Sequence, residues 1–220
     1  GAFLIVAVGR KAPVRHCIAV LASGASLALM IALIQPVMLG GEIIAYWMGN
    51  RVPAGGYAIG IALEVDALSL FFGLVVTLAL FASVIYSIRY MAQDDNQEQY
   101  YILLLVLIGG VLGLVLSGDM FNMYIMVEIM TIAAVALTAF RHKVFGALEA
   151  AFKYMVVGGI GSTCILAGVI ILYAQAHTLN FAQLAALIPG NLNTATKVAF
   201  ALLFIGFSTK AFIVPFHPLA

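Results

Sequence analysis

Long apolar runs separated by short polar breaks dominate this sequence and limit what it can fold into. A helix needs roughly 20 mostly apolar residues to cross a membrane. Hydrophobic residues make up 65% of the 220 residues and charged residues only 9%, against about 25% in a typical soluble domain. The sequence therefore predicts an all-α polytopic membrane protein, a helix bundle with about seven transmembrane segments. These are a short stub at 2–8 and six longer segments at 17–39, 67–88, 101–117, 120–140, 146–174 and 198–217.

The breaks between these segments suggest how the chain is divided. The longest break covers residues 40–66 and contains Pro53, Gly55 and Gly56, so we expect it to lie on the membrane surface. A pair of strands is possible there but cannot be read from the sequence. We expect N-terminal transmembrane helices with this surface loop in residues 1–100 and a second region in residues 101–220, with both ends cut from a longer chain.

The lysines and arginines in the breaks predict an orientation, because loops rich in these residues usually face the cytoplasm. Alternate breaks hold six of them and the opposite breaks hold two. This bias places the N-terminus outside, in an integral protein of the cytoplasmic or another energy-transducing membrane. The six are Arg10, Lys11, Arg15, Arg89, Arg141 and Lys143, and the two are Arg51 and Lys197.

Several classes of function have no support in this sequence. The net charge of +1 argues against a nucleic-acid partner, and Cys17 and Cys164 have neither a disulfide framework nor metal-ligand spacing. A phosphate-binding loop, a CxxC cluster and a pair of helical histidines for haem are all missing from the sequence. We therefore predict no cofactor, no metal site and no catalytic centre in this chain.

Glu128 is the acid that lies deepest in a predicted span. It follows Asp119 by nine residues, roughly 14 Å along a helix that rises 1.5 Å per residue. An ionisable group near the middle of the bilayer is costly unless it is paired or hydrated, so it is a functional candidate. Tyr124 and Thr131 extend the same helix face, which is typical of a helix that faces a hydrated interior. A permanently paired structural carboxylate is the alternative.

Lys210 lies deep in the last predicted span, twelve residues past Val198. Gly206, one turn earlier, would leave room beside the lysine, and Pro215 removes a backbone donor and breaks the helix. A broken helix beside a buried charge is typical of transporters. His217 could relay protons because histidine titrates near neutral pH. The alternative is a proline kink with a lysine that reaches the interface.

Lys153 and Glu149 lie one turn apart near the start of the 146–174 segment, a spacing that favours an ion pair. We count Lys153 as a third candidate for ion translocation and Glu149 as its support, although the pair could simply anchor the helix at the interface. In the same segment Gly158, Gly159 and Gly161 would let helix backbones approach closely, which we interpret as ordinary bundle packing.

Three motifs together resemble the antiporter-like membrane subunits. This family includes Mrp-type sodium/proton antiporter subunits A and D, the large membrane subunits of respiratory complex I, and those of membrane-bound hydrogenases. The resemblance lies in the fifth, sixth and broken seventh helices of that fold. The matching segments are Ser117-Gly-Asp-Met-Phe-Asn-Met-Tyr-Ile-Met-Val-Glu128, Glu149-Ala-Ala-Phe-Lys153-Tyr and Gly206-Phe-Ser-Thr-Lys210-Ala-Phe-Ile-Val-Pro215-Phe-His217.

The resemblance implies that Glu128 and Lys210 are the glutamate and lysine of a proton channel, with Lys153 as a further lysine. It implies that residues 101–220 form the first half of an inverted repeat, incomplete at its C-terminus. It also implies neighbouring membrane subunits as partners and H⁺ or Na⁺ as the transported ion. The usual Trp-Leu-Pro continuation after the broken helix is replaced here by Pro218-Leu219-Ala220.

Three functions remain open at this point. The first is proton or Na⁺/H⁺ translocation as a subunit of an antiporter or a redox-driven pump. The second is a stand-alone secondary solute transporter, which would need a second repeat and a substrate-sized cavity. The third is a structural membrane scaffold of a respiratory complex whose charges no longer serve transport.

The orientation predicts different reactivity for cysteines placed in the two sets of loops. In a variant without Cys17 and Cys164, Lys143→Cys should resist a membrane-impermeant maleimide in intact cells, because its loop faces the cytoplasm. Lys197→Cys, in an opposite loop, should be labelled readily. Labelling of the first and protection of the second would reverse the topology.

Overall fold

Helices make up most of the described chain. A computed structural model describes residues 1–9, 11–50, 60–94, 96–141, 143–190 and 192–214. Within these ranges five helical segments are long and apolar enough to cross a membrane: Ala12–Leu39, Ala67–Tyr90, Gln97–Val115, Met120–Thr138 and Ala147–Ala176. The helices are α1 (Ala2–Val8), α2 (Ala12–Ala32, continued by a π-helical turn at Gln35–Leu39), α3 (Ala67–Tyr90), α4 (Gln97–Val115), α5 (Met120–Thr138), α6 (Ala147–Ala176), α7 (Phe181–Leu187) and α8 (Thr194–Lys210).

The expected count of seven spans is not confirmed. The stub α1 has 7 residues and α8 has 17, so at 1.5 Å per residue α8 is about 26 Å long. The prediction was also wrong about where α2 begins, because Pro13 fits the first turn of a helix that starts at Ala12. Arg15 and His16, which we expected in a loop, are therefore helical.

A β-hairpin occupies the break that we expected on the membrane surface. Its strands β1 (Ile44–Trp47) and β2 (Ala62–Val65) pair antiparallel, with Ile44 opposite Val65 and Trp47 opposite Ala62. The glycines and proline noted at 53–56 lie outside the described residues. After the hairpin, Asp66 begins α3 through reciprocal hydrogen bonds with Ser69. The backbone hydrogen bond from Ser69 is the main cause of the lowered pKa of the Asp66 carboxyl.

The segment Ser117–Gly118–Asp119 joins three parts of the fold at one end of the bundle. The Asp119 carboxylate accepts hydrogen bonds from the amides of Phe121 and Asn122 at 2.9 and 3.0 Å, which caps α5. The Gly118 amide donates to the Ala62 carbonyl at 2.9 Å, and the Gly118 carbonyl accepts from the Phe181 amide at 3.1 Å. The hairpin, the start of α5 and the start of α7 are therefore tied together.

At the opposite end of the bundle, side chains connect the first turns of α2 and α4 and the two loops that precede α4 and follow α5. An Arg15 guanidinium nitrogen donates to the Gln97 side-chain oxygen at 2.6 Å. Arg141 forms a 2.7 Å ion pair with Asp94 and lies over the ring of Tyr90. The hydrogen bond that Arg141 donates to the Asp94 carboxylate is the main cause of the raised pKa of Arg141. The breaks that we assigned to one membrane side thus meet at one end of the helices.

Glycines let α6 pack directly against α8. A Cβ atom added at Gly206 would lie 2.6 Å from the Gly161 carbonyl oxygen and 3.0 Å from the Ile165 amide nitrogen, and one at Gly168 would lie 2.9 Å from the Ala199 carbonyl oxygen. These distances are too short for any side chain, so the two backbones touch. Ile165, Val169 and Leu203 fill the core beside this contact.

Gly206→Ala should separate α6 from α8, because the new methyl group would meet backbone atoms that cannot move aside. We expect a loss of about 1–3 kcal/mol in stability, the usual cost of overpacking. Thermal unfolding of the purified protein in detergent measures the effect. Gly159→Ala is the matched control, since a Cβ there would meet no atom within 4 Å, and equal melting temperatures of the two variants would contradict the prediction.

Candidate functional site

Lys210 is the last residue of α8, and its amine reaches a neighbouring helix. The Nζ atom donates a hydrogen bond of 2.7 Å to the Thr131 hydroxyl oxygen on α5. The helix ends here because the Ile213 amide bonds to the Ser208 carbonyl at 3.0 Å and Phe212 takes a φ of 52°. We expected the helix to run on to about Pro215. It ends five residues earlier, at the lysine itself, while Pro215 and His217 lie outside the described residues.

Glu128 lies one turn before Thr131 on α5, as the sequence predicts. Its Oε1 atom is buried and has no hydrogen-bond partner in the part of the chain that the structure describes. Lys210 forms no ion pair with it among the described residues, because the lysine amine contacts Thr131 instead. The Thr131 hydroxyl in turn donates to the Val127 carbonyl at 2.7 Å. Thr131 therefore holds the lysine close to the glutamate without direct contact between the two charges.

Gly158 on α6 provides the space in which the lysine amine lies. A Cβ added at this buried glycine would be 3.4 Å from the Thr131 methyl group and 3.6 Å from Lys210 Nζ. Helix α6 packs against both α5 and α8, so this glycine is where the three helices meet. The sequence predicts only ordinary helix packing at Gly158. The arrangement of the helices distinguishes this buried glycine from the exposed Gly159.

Gly206 has a different role from the one expected. We predicted that it leaves room beside Lys210, one turn further along α8. In the structure it contacts the α6 backbone at Gly161. It therefore fixes the distance between the helices, and the room beside the amine comes from Gly158.

Lys153 and Glu149 form the ion pair expected from their spacing, with 2.6 Å between the amine and a carboxylate oxygen. Their side chains are 63% and 64% exposed in this chain. Five residues separate Lys153 from Gly158, which is roughly 140° around a helix of 3.6 residues per turn. Lys153 therefore points to the outside of α6, and the structure does not bring it together with Lys210.

Two further polar residues of α5, Tyr124 and Thr138, differ in how far they are buried. Tyr124, one turn before Glu128, is partly buried in the core beside Val127 and Ile165. Thr138, further along α5, is exposed and bonds to its own helix at the Ala134 carbonyl. The described residues contain no group of three metal-ligating side chains. The site is thus a cluster of Glu128, Thr131, Gly158 and Lys210.

Comparison with protein-family models finds two matches. Residues 117–218 match the model described as NADH:quinone oxidoreductase/Mrp antiporter, TM. Residues 51–101 match that described as NADH-Ubiquinone oxidoreductase (complex I), chain 5 N-terminus. The first match contains every residue of the cluster.

Individual relatives agree with these models. The chain is 36% identical over 206 residues to NADH-quinone oxidoreductase subunit N of Desulforudis audaxviator, covering 91% of this chain and 38% of that protein. A chain of the archaeal membrane-bound sulfane sulfur reductase superimposes with a TM-score of 0.91 at 30% identity, over 100% of this chain and 44% of that one. A chain of the Mrp complex from Dietzia sp. DQ12-45-1b superimposes with a TM-score of 0.84 at 26% identity, over 99% of this chain and 40% of that one. This chain thus spans about two fifths of the length of these relatives.

Thr131→Val should destabilise the site, because it removes the oxygen that accepts the hydrogen bond from Lys210. A partly buried amine without a partner costs about 1–3 kcal/mol. Thr138→Val is the matched control on the same helix, since its exposed hydroxyl bonds only to backbone. Thermal unfolding of both variants in detergent measures the difference. A Thr131→Val protein as stable as the control would show that the lysine finds another acceptor.

Proposed function

The chain belongs to the family of antiporter-like membrane subunits, and we propose that it forms the part of such a subunit in which a partly buried lysine carries the translocated proton. The observation that supports this most is the amine of Lys210, bonded to Thr131 within one turn of a glutamate whose Oε1 atom is buried. The ion is H⁺, or Na⁺ exchanged for H⁺, and the working unit is a multisubunit antiporter or redox-driven pump. Other membrane subunits of that complex are the partners.

The cluster has the chemistry that a proton carrier needs. A lysine amine has three donors and no acceptor when charged, and it gains a lone pair when it releases a proton. An acid nearby favours the charged form, whereas loss of water favours the neutral form. Small changes in the distance between Glu128 and Lys210 would therefore change how tightly the proton is held.

Thr131 allows that distance to change without leaving the amine unpaired. Its hydroxyl oxygen can accept a hydrogen bond while the hydroxyl proton donates to the Val127 carbonyl. We propose that the lysine rests on Thr131 and approaches Glu128, directly or through a water molecule, when the proton is taken up. The end of α8 at Lys210 favours this motion, because residues beyond it need not move with the helix.

Lys153 and His217 have less support as carriers. Lys153 is paired with Glu149 on the outer face of α6, so any role in translocation would lie between this chain and a neighbouring subunit. His217, seven residues after Lys210 in the sequence, would continue the path beyond the lysine. We propose both as later stations and Lys210 as the carrier.

The proposal extends to orientation and to the remainder of the subunit. The bias of Lys and Arg between the loops favours an N-terminus on the outer side of the cytoplasmic membrane. Two side-chain contacts, Arg15 with Gln97 and Arg141 with Asp94, support a common membrane side for the positively charged breaks. Residues 101–220 would be the first of two inverted repeats. The second repeat would provide the other half of the path.

Lys210→Arg tests the carrier directly. Arginine keeps the positive charge and the hydrogen bond but does not deprotonate in proteins, so we expect assembly of the complex with ion flux lost or strongly slowed. The assay is proton and sodium flux in proteoliposomes that contain the complete complex. Lys197→Arg is the matched control, because this lysine is exposed at the start of the same helix. Native flux in Lys210→Arg would reduce the lysine to a fixed counter-ion.

Glu128→Gln provides the companion measurement in the same assay. Glutamine keeps the shape and most of the hydrogen-bonding capacity but removes the charge that stabilises the protonated amine. We expect an assembled complex with slow flux and a changed pH dependence. A variant with the native rate and native pH profile would make Glu128 structural.

A further inference from the structure

A cavity of about 470 Å³ lies at the end of the bundle opposite the hairpin, between the first turns of α2 and α4. Its walls include Ala12 and Arg15 from α2, Asn96 and Gln97 from the start of α4, and Asp94 from the preceding loop. It is separate from the Lys210 cluster and no step proposed for translocation uses it. Its most unusual wall residue is Arg15.

Arg15 is a buried cation that forms no ion pair with a carboxylate in the part of the chain that the structure describes. The residue is only 7% exposed. Its terminal nitrogens donate to the Gln97 side-chain oxygen at 2.6 Å and to the Gly9 carbonyl at 3.4 Å, while its Nε atom is buried and has no partner among the described residues. These neutral oxygens accept some of the hydrogen bonds of the guanidinium but do not neutralise its charge. A buried charge in this state is costly unless an anion compensates it.

Two helix N-termini add to the positive potential in the cavity. Lys11 and Asn96 precede α2 and α4, and neither side chain caps its helix. The free backbone amides and the helix dipole make such ends attractive to anions. Arg15 lies within four residues of the start of α2, where a cation opposes the dipole. An anion in the cavity would accept hydrogen bonds from the free amides and would also compensate the charge of Arg15.

The two described acids that line the cavity, Asp94 and Glu98, are not paired with Arg15. Asp94 is engaged with Arg141 at 2.7 Å, and Glu98 lies in the first turn of α4, where it favours the dipole of its own helix. Neither forms an ion pair with Arg15 within the described ranges. His16, next to Arg15, packs edge-on against the buried ring of Tyr101 with 5.4 Å between ring centres, so α2 and α4 hold the guanidinium in place.

We propose that this cavity binds the phosphate group of a phospholipid from the adjacent membrane leaflet. A phosphate offers several acceptor oxygens to the guanidinium and to the free amides of both helices. The cavity lies where two membrane-crossing helices begin, which is the depth of lipid headgroups. The lipid would fix the two helix ends relative to each other at the edge of the bundle.

The experiment uses the purified complex that contains the full-length subunit. Thermal unfolding and native mass spectrometry are measured after delipidation and addition of phosphatidylglycerol. Monogalactosyldiacylglycerol, which lacks phosphate, and inorganic phosphate are the comparison ligands. We expect stabilisation and retention with phosphatidylglycerol, none with the galactolipid and little with inorganic phosphate. A full effect with inorganic phosphate would overturn the lipid assignment, and an equal effect of the galactolipid would overturn the phosphate site.

Arg15→Gln should weaken phosphatidylglycerol binding by roughly tenfold, because a charge-assisted contact is lost. Arg89→Gln, an exposed arginine in the last turn of α3, is the matched control and should bind normally. Normal binding by Arg15→Gln, or equal loss in both variants, would contradict the proposal. If Arg15→Gln fails to assemble, Arg15→Lys decides the question, since lysine keeps the charge without the planar fork. Weaker binding by this variant supports the site, and unchanged binding overturns it.

Discussion

The direct backbone contact between α6 and α8 determines the position of everything else in the site. Gly206 meets Gly161, and Gly168 meets the backbone at Ala199, so α8 has little freedom to rotate or shift along α6. Without water in the membrane interior, helices associate mainly through close packing of this kind. The end of α8 is thereby held beside α5, and the amine of Lys210 reaches Thr131. A larger side chain at the contact would move the amine away from its acceptor.

The site combines a fixed frame with a short adjustable element. Helices α5 and α6 supply Glu128, Thr131 and Gly158 from regular segments, whereas the lysine lies where α8 stops. A charge at the end of a helix can follow movements of the segment beyond it while the helix itself stays packed. Chains of the sulfane sulfur reductase and of the Mrp complex share this fold.

The sequence predicts the class of the protein, five of whose seven expected spans match long apolar helices, the alternate grouping of the loops and the ion pair of Glu149 with Lys153. These follow from hydropathy, from charge bias and from helical spacing, all of which are local. It could not predict that Thr131 stands between Glu128 and Lys210, because that depends on how three helices pack. For the same reason it predicts the roles of two glycines wrongly: Gly158, expected in ordinary packing, lies beside the amine, and Gly206, expected beside the amine, packs against α6. The end of α8 was misplaced since Pro215 is a conspicuous breaker, whereas the actual end arises from a backbone turn at Phe212.

The junction at Ser117–Gly118–Asp119 has a mechanical consequence for the whole bundle. Its hydrogen bonds hold the hairpin, the first turn of α5 and the segment that enters α7. Glu64 of the hairpin lies directly against Gly118, where a Cβ atom would be 2.7 Å from the carboxyl carbon. A displacement of the hairpin would therefore be transmitted to the first turn of α5, and along that helix towards Glu128. The hairpin is thereby coupled mechanically to the helix that carries Glu128.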